Sequence, residues 1–348
     1  MERLTVAIVG FGKSATRYHL PYLLNDSAIN VKYVVYVGRD PKREAAYAQD
    51  GIHFTEDIND ALQDPEVQLL TLCTPPATHV SLAKQVLNAG KNVLVEKPFA
   101  PSLVQTRELL DLAKSKGLAA MPYQNRRFDS DYLTLQEVLR RGYVGTPLEL
   151  ISHWDKFRPD ATKHEGKPQA GALYNMGIHM VDQIVGLFGQ PNAVTADLRS
   201  VQNPASNYDD AYELGFSYGR FKAIVAGSPL VAQPFPRFTL LGTNGTYTKY
   251  DVDQQENDLK LGIMPGDQGF GTDQPDKYGH VRYQNSGGDW IDKDLPTITG
   301  DYTRVYHAMR DTILAGKPKL VTDEQALVDI QILENAISQP TPNVVRYD

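Results

Sequence analysis

Five residues, Thr5-Val6-Ala7-Ile8-Val9, run straight into Gly10-Phe11-Gly12-Lys13-Ser14-Ala15, and few folds accommodate that join. The first run is apolar and β-branched, as a strand buried on both faces requires. The second reads G-x-G-x-x-A and opens a helical pattern over 15–24. Strand, glycine turn and helix in that order form a dinucleotide cradle. Gly10 allows the tight turn, Gly12 lets a pyrophosphate approach the backbone, and Ala15 lets the helix pack close to the strand. The helix N-terminus then faces the phosphates. Phe11, Lys13 and Ser14 complete the loop and are cofactor candidates with it. The plain alternative is a strand–turn–helix without a ligand.

The rhythm continues. Strand patterns at 31–37, 53–54, 67–73, 92–95 and 118–122 alternate with helical patterns at 42–49, 58–63, 79–89 and 103–116. Such alternation implies an α/β fold with a doubly wound parallel sheet of Rossmann type over 1–122. The end of the second strand bears on the cofactor. An acid about 20 residues after the glycines would bind the ribose 2′-hydroxyl of NAD. Gly38 stands there, and Arg39, which follows, can bind a 2′-phosphate through two hydrogen bonds. This favours NADP. NAD remains possible if Asp40 takes the acid's part.

A chain of 348 residues exceeds one ordinary core, so a second domain is expected over 123–348. Helical patterns at 130–141 and 174–188 precede strand patterns at 148–157, 193–198, 211–218, 221–226 and 238–241 in a mixed order. The turn Gly242-Thr243-Asn244-Gly245 is of hairpin type. This reads as an α+β domain with a large, mostly antiparallel open sheet. Residues 262–288 read as one long loop, and helices occupy 301–337. A bare sheet face is a candidate surface for a homodimer or homotetramer.

Net charge is −7, without a basic run, which argues against nucleic acid and anionic membranes as partners. No apolar run approaches the roughly 18 residues of a membrane span. MERLTVAIVG reads as a strand entering a core rather than a signal peptide. Cys73 is the only cysteine, so no disulfide forms within the chain, which fits a cytoplasmic location. No metal site is expected.

Four stretches carry a resemblance: GFGKSA, TPPATH at 74–79, EKP at 96–98 and AGALYNMGIHMVDQ at 170–183. In that order the chain resembles, over essentially its whole length, the glucose–fructose oxidoreductase / inositol dehydrogenase / rhizopine-catabolism family of NAD(P)-dependent oxidoreductases. It is similar in particular to a bacterial branch with PYQNRRFDS at 122–130 and an MPG loop at 264–266.

The resemblance implies an NAD(P)-dependent dehydrogenase or reductase acting on a sugar, polyol or inositol-like molecule. Glu96 and Lys97 follow a buried strand, so they arrive at the sheet edge where ligands bind. The resemblance implies a cis bond at Pro98. An ammonium at Lys97 can hydrogen-bond the reacting oxygen and orient the nicotinamide ribose. Thr74, Pro75 and Pro76 are candidates to line the ribose. The family places His79 near the cofactor, although a helix-start residue with local hydrogen bonds is an equal reading. Gln124 is a further cofactor candidate.

In the second domain the resemblance makes His179 the proton acceptor. Asn175 stands where the family usually has an aspartate, and Asp182 is a partial substitute or a plain ion-pair residue. Tyr123, Gln124, Asn125 and Arg126 follow the last strand of the first domain. Trp154, Lys156 and Arg158 alternate along one strand and so face one side, which could bind a polyol, sugar or sugar acid and equally could be a solvated face or part of a dimer contact. With Tyr174 and His179, Asn125, Arg126, Trp154 and Arg158 are the substrate candidates. Two other readings stay open: a nucleotide-binding sensor without turnover, favoured by Asn175, and an NAD-dependent glycosidase, which Gly38-Arg39 disfavours.

Overall fold

The computed structural model describes residues 2–159 and 167–347. Its chain divides into two compact units. The first comprises Met1–Asn125, Leu261–Gln268 and Tyr302–Leu327; the second comprises Arg126–Lys260, Gly269–Asp301 and Val328–Asp348. The helix Thr303–Ala315 therefore falls in the first unit, whereas the sequence reading groups all C-terminal helices with the second domain.

The first unit holds six strands: β1 (Leu4–Val9), β2 (Ile29–Val35), β3 (His53–Thr55), β4 (Leu69–Leu72), β5 (Asn92–Val95) and β6 (Ala120–Pro122). They lie in the order β3-β2-β1-β4-β5-β6, and every neighbouring pair is parallel. The apolar runs follow from burial on both faces: Leu4, Val6, Ala7, Ile8, Leu69, Leu70, Leu72, Val93, Leu94 and Val95 are fully buried. The strand order reverses direction between β1 and β4, the switch point at which such sheets bind ligands. The expected helix over 15–24 is present in two parts. Residues Ala15–His19 form a π-helical turn and Leu20–Leu24 an α-helix.

The second unit carries β7 (Pro147–His153), β8 (Ala193–Arg199), β9 (Ala211–Tyr218), β10 (Phe221–Gly227), β11 (Phe238–Gly242), β12 (Gly245–Lys249), β13 (Gly279–Gln284), β14 (Trp290–Leu295) and β15 (Asn343–Arg346). The sheet order is β14-β13-β12-β11-β7-β10-β9-β8-β15. Only the β7–β10 pair among these is parallel. One face packs on Tyr132, Leu135, Ile178, Val181 and Ile184 through Leu150, Leu214, Phe216, Val225 and Leu240. Thus the fold comprises a Rossmann-type unit and an α/β unit with a large, mostly antiparallel sheet.

Several elements differ from the sequence reading. The strand expected at 148–157 ends at His153. The segment 262–288 is not one loop, because it contains β13. That strand alternates buried Gly279 and Val281 with exposed His280 and Arg282. It pairs with β14, an edge strand bearing Asp292 and Asp294. Charged pairs such as Arg282–Asp292 and His280–Asp294 replace the apolar signal by which strands are recognised. β12, β15 and the helix Gln255–Leu261 are also absent from the sequence reading.

Candidate functional site

In the first unit, β1 is followed by Gly10, whose φ is +104°. A Cβ there would lie 2.4 Å from the Cys73 carbonyl oxygen, so conformation and packing both demand glycine. At Gly12 a Cβ would meet nothing within 4 Å. The loop is thus pinned at its first glycine and open at its second, as a pyrophosphate cradle needs. Phe11 turns the other way. It is 4% exposed and packs on Tyr36, Tyr47 and Phe54, so its side chain is core rather than a cofactor contact. The Arg43 guanidinium covers its ring at 4.6 Å and donates to its carbonyl. Lys13 is exposed.

Arg39 is already partnered. Its Nε and Nη2 donate to the two oxygens of Glu44 at 2.8 and 2.6 Å. Those hydrogen bonds lead the effects that hold the Glu44 carboxyl down at about 2. Glu56 accepts from the backbone N–H groups of Gly38 and Arg39 at 2.7 and 3.3 Å. Asp40, the alternative acid, caps the helix Pro41–Glu44 by accepting from Lys42.

The EKP turn rests on a network that the sequence analysis misses. Burial raises the Glu96 carboxyl, but His19, Ser14 and Lys97 outweigh it and hold the group at about 2. Ser14 Oγ donates to Glu96 Oε1, and His19 Nε2 lies 3.0 Å from the same oxygen. The other His19 nitrogen meets the Tyr306 hydroxyl at 2.6 Å. The Lys97 backbone N–H closes onto Glu96 Oε2 at 3.1 Å, and the Lys97–Pro98 bond is cis. Ser14 therefore joins the glycine loop to the turn that bears Lys97.

His79 has both ring nitrogens engaged by local backbone carbonyls, as the second of its two sequence readings describes. It is fully buried, with Nδ1 2.8 Å from the Pro98 carbonyl and Nε2 2.9 Å from the Thr74 carbonyl. It ties the TPP turn to the EKP turn and has no face for a ligand. Thr74 is half-buried, while Pro75 and Pro76 are exposed. Tyr123, Gln124 and Asn125 are buried at 1%, 2% and 6% exposure. The Tyr123 hydroxyl donates to the Tyr18 carbonyl at 2.6 Å, and its ring lies tilted against His19 at 4.0 Å.

In the second unit, a cavity of about 1190 Å³ is lined by Trp154, Lys156, Arg158, Asn175, Asp209 and Ser228 among others. Although β7 ends at His153, the chain stays extended. Trp154 donates to the Ala226 carbonyl, Lys156 to that of Ser228 and Arg158 to that of Pro229, at 2.8, 2.9 and 2.8 Å. The expected one-sided alternation of Trp154, Lys156 and Arg158 therefore holds. The guanidiniums of Arg126 and Arg237 lie over the Trp154 ring at 4.4 and 4.9 Å. Arg126, expected at the substrate, bonds to Glu256 at 2.8 Å and Asp129 at 3.2 Å.

Asn175 lies in a π-helical turn, Leu173–Gly177, and His179 in the α-helix Ile178–Phe188 that continues it. Both π-helical turns thus occur at stretches marked as functional, where such distortions concentrate. Asn175 is exposed on the cavity wall, and His179 is 4% exposed. Tyr174 is 1% exposed, which turns its ring into the core and away from a substrate. Asp182 is held by Arg127 through two hydrogen bonds at 2.8 and 2.7 Å. It is an ion-pair residue, not the replacement carboxylate.

Asp209 is a further carboxylate on the cavity wall that the sequence does not single out. Its Oδ2 accepts from the Leu173 N–H at 2.7 Å, and burial raises its carboxyl to about 6. A Cβ on Gly171 would lie 2.0 Å from its Oδ1, which explains that glycine.

Two family models account for most of the chain. "Oxidoreductase family, NAD-binding Rossmann fold" matches residues 4–124 and "Oxidoreductase family, C-terminal alpha/beta domain" matches residues 136–342. The chain belongs to the Gfo/Idh/MocA oxidoreductase family. Within that family it is similar to the uncharacterized oxidoreductase YhhX of Escherichia coli, with 45% identity over 98% of each chain. It is 30% identical to the scyllo-inositol 2-dehydrogenase (NADP(+)) IolW of Bacillus subtilis, over 97% of this chain and 94% of that one. The crystal structure of an oxidoreductase from Bacillus cereus superposes with a TM-score of 0.97, at 46% identity and 99% coverage of both chains. The first unit is therefore a family NAD-binding domain, and the protein is an oxidoreductase.

Proposed function

We propose that this oxidoreductase prefers NADP and interconverts a hydroxyl and a carbonyl on a sugar, polyol or inositol-like molecule. The observation that carries the reading is the Ser14–Glu96–His19 network, which ties the dinucleotide loop to the turn bearing Lys97. When bound, the nicotinamide accepts or supplies the hydride. Gly10, Gly12 and the Thr74–Pro76 turn would hold the dinucleotide, Lys97 would polarise the reacting oxygen, and His179 would exchange its proton. A relative named as an NADP-dependent inositol dehydrogenase supports both cofactor and substrate class. A screen at 340 nm with NADPH, NADH and a polyol panel tests the activity. NADPH binding without turnover of any carbonyl or hydroxyl would point instead to a sensor, the role that Asn175 favours.

The cofactor preference has its own test. Arg39→Ala is expected to weaken NADPH selectively, by about tenfold, since a charge-assisted contact is worth about 1.5–3 kcal/mol. Because Glu44 neutralises Arg39, Glu44→Gln is expected to do the reverse and strengthen NADPH. Fluorescence titration with both cofactors decides; equal changes for NADPH and NADH would remove Arg39 from the 2′-phosphate site.

The sheet face opposite the core supports a homodimer or homotetramer. Ile151, Ile224 and Leu241 stand half-exposed there, on strands that are neighbours in the sheet, which suits a covered surface. Light scattering is expected to give at least twice the chain mass of 38.7 kDa. A monomer at micromolar concentration would refute this.

A further inference from the structure

The cavity of the second unit carries a charge pattern that a neutral polyol does not call for. Lys156 and Arg158 project from alternate positions of one extended segment onto the same wall. Among the described residues neither forms an ion pair with a carboxylate. The lysine is in an unfavourable setting: burial first, then the charge of Arg158, lowers its pKa, and Glu256 offsets this only in part.

The acids on the same wall are committed elsewhere. Asp210 accepts from the Val201 and Gln202 N–H groups at 2.7 and 2.9 Å. Asp209 accepts from the Leu173 N–H, and burial raises its carboxyl to about 6, so it is still mostly ionised at neutrality. Arg126, close behind the tryptophan, is bound to Glu256 and Asp129. Among the described residues, the wall thus carries two cations without a carboxylate partner, while its two carboxylates have their oxygens engaged by backbone N–H groups. An anion would supply the partner that Lys156 lacks, and Arg158 suits a planar or tetrahedral oxyanion through paired hydrogen bonds.

We propose that the Lys156–Arg158 edge is an anion subsite, and that the substrate carries a carboxylate or phosphate at one end of a hydroxylated chain. The word substrate rests on the oxidoreductase reading above; the subsite is measurable without turnover.

The test is calorimetry on the full chain with glucitol, gluconate and glucitol 6-phosphate, which share a hydroxylated chain and differ in the terminal group. At least one anion is expected to bind about tenfold or more tightly than glucitol, the usual size of one charge-assisted contact. Gluconate ahead marks a carboxylate site and glucitol 6-phosphate ahead a phosphate site. The double variant Lys156→Gln/Arg158→Gln, checked for folding by circular dichroism, is expected to lose the preference. Anions that bind no better than glucitol, including no binding by any of the three, overturn the proposal. So does a preference that survives the double variant. NADPH titration in parallel separates the two readings: an anion preference without dinucleotide binding sinks the oxidoreductase assignment alone.

Discussion

His179→Ala is expected to lower kcat by roughly 10²–10⁴-fold while NADPH binding stays nearly unchanged, the signature of a lost proton acceptor. The histidine lies in the helix Ile178–Phe188 of the second unit, whereas the dinucleotide loop belongs to the first. Asn175→Asp then reads the same proton from its other side. A carboxylate one helical turn before His179 stabilises the imidazolium and raises the ring's pKa. Alcohol oxidation needs the neutral ring, so its pH profile is expected to move to higher pH. Carbonyl reduction needs the protonated ring, so it is expected to persist further into alkaline pH. Steady-state rates in both directions, across pH, provide the check. A rate that survives His179→Ala, with a profile indifferent to Asn175→Asp, would move the proton to Lys97; Tyr174, with its ring in the core, is not a candidate.

Arg237→Met is expected to destabilise the second unit by about 3–5 kcal/mol, the usual cost of breaking a buried ion pair from one side. Arg237 is 1% exposed. Its Nε bonds to Asp131 at 2.7 Å, with both side chains fully buried. Its Nη2 bonds to Gln183 at 2.7 Å, and Ser152 accepts from Nη1. The guanidinium also lies 4.0 Å from the Phe238 ring. Methionine fills much of the volume but leaves Asp131 as a buried charge without its cation. For a unit of this size the loss corresponds to a fall in Tm of about 6–20 °C. Adding Asp131→Asn is expected to recover part of it, because no unpaired charge then remains. Scanning calorimetry of both variants decides, and a Tm for Arg237→Met within about two degrees of the parent would refute the network's role.

The legible parts of the fold are those whose signal is local. β1, β4 and β5 announce themselves because strands buried on both faces must be apolar throughout. β13 and β14 do not, because a solvated edge is built from charged pairs that look like loop. The glycine loop, the EKP turn and the Asn175–His179 helix were readable for the same reason: their chemistry depends on short spacings. Arg39 was readable as a candidate phosphate ligand, yet its bond to Glu44 was not. Burial moved Phe11, His79 and Tyr174 from candidate contacts to core.

By itself, then, the sequence determined the alternation of strand and helix and the glycine loop that joins the first strand to its helix. These follow from side-chain size and backbone freedom over a few residues. The tertiary structure decided which polar groups are spent and which remain. His19 reaches Tyr306 across 287 positions, Arg237 reaches Asp131 across 106, and Lys156 lines a cavity with no ion pair among the described residues. No local pattern encodes such partners, because burial makes the pairing of a charge obligatory without fixing where along the chain its partner stands.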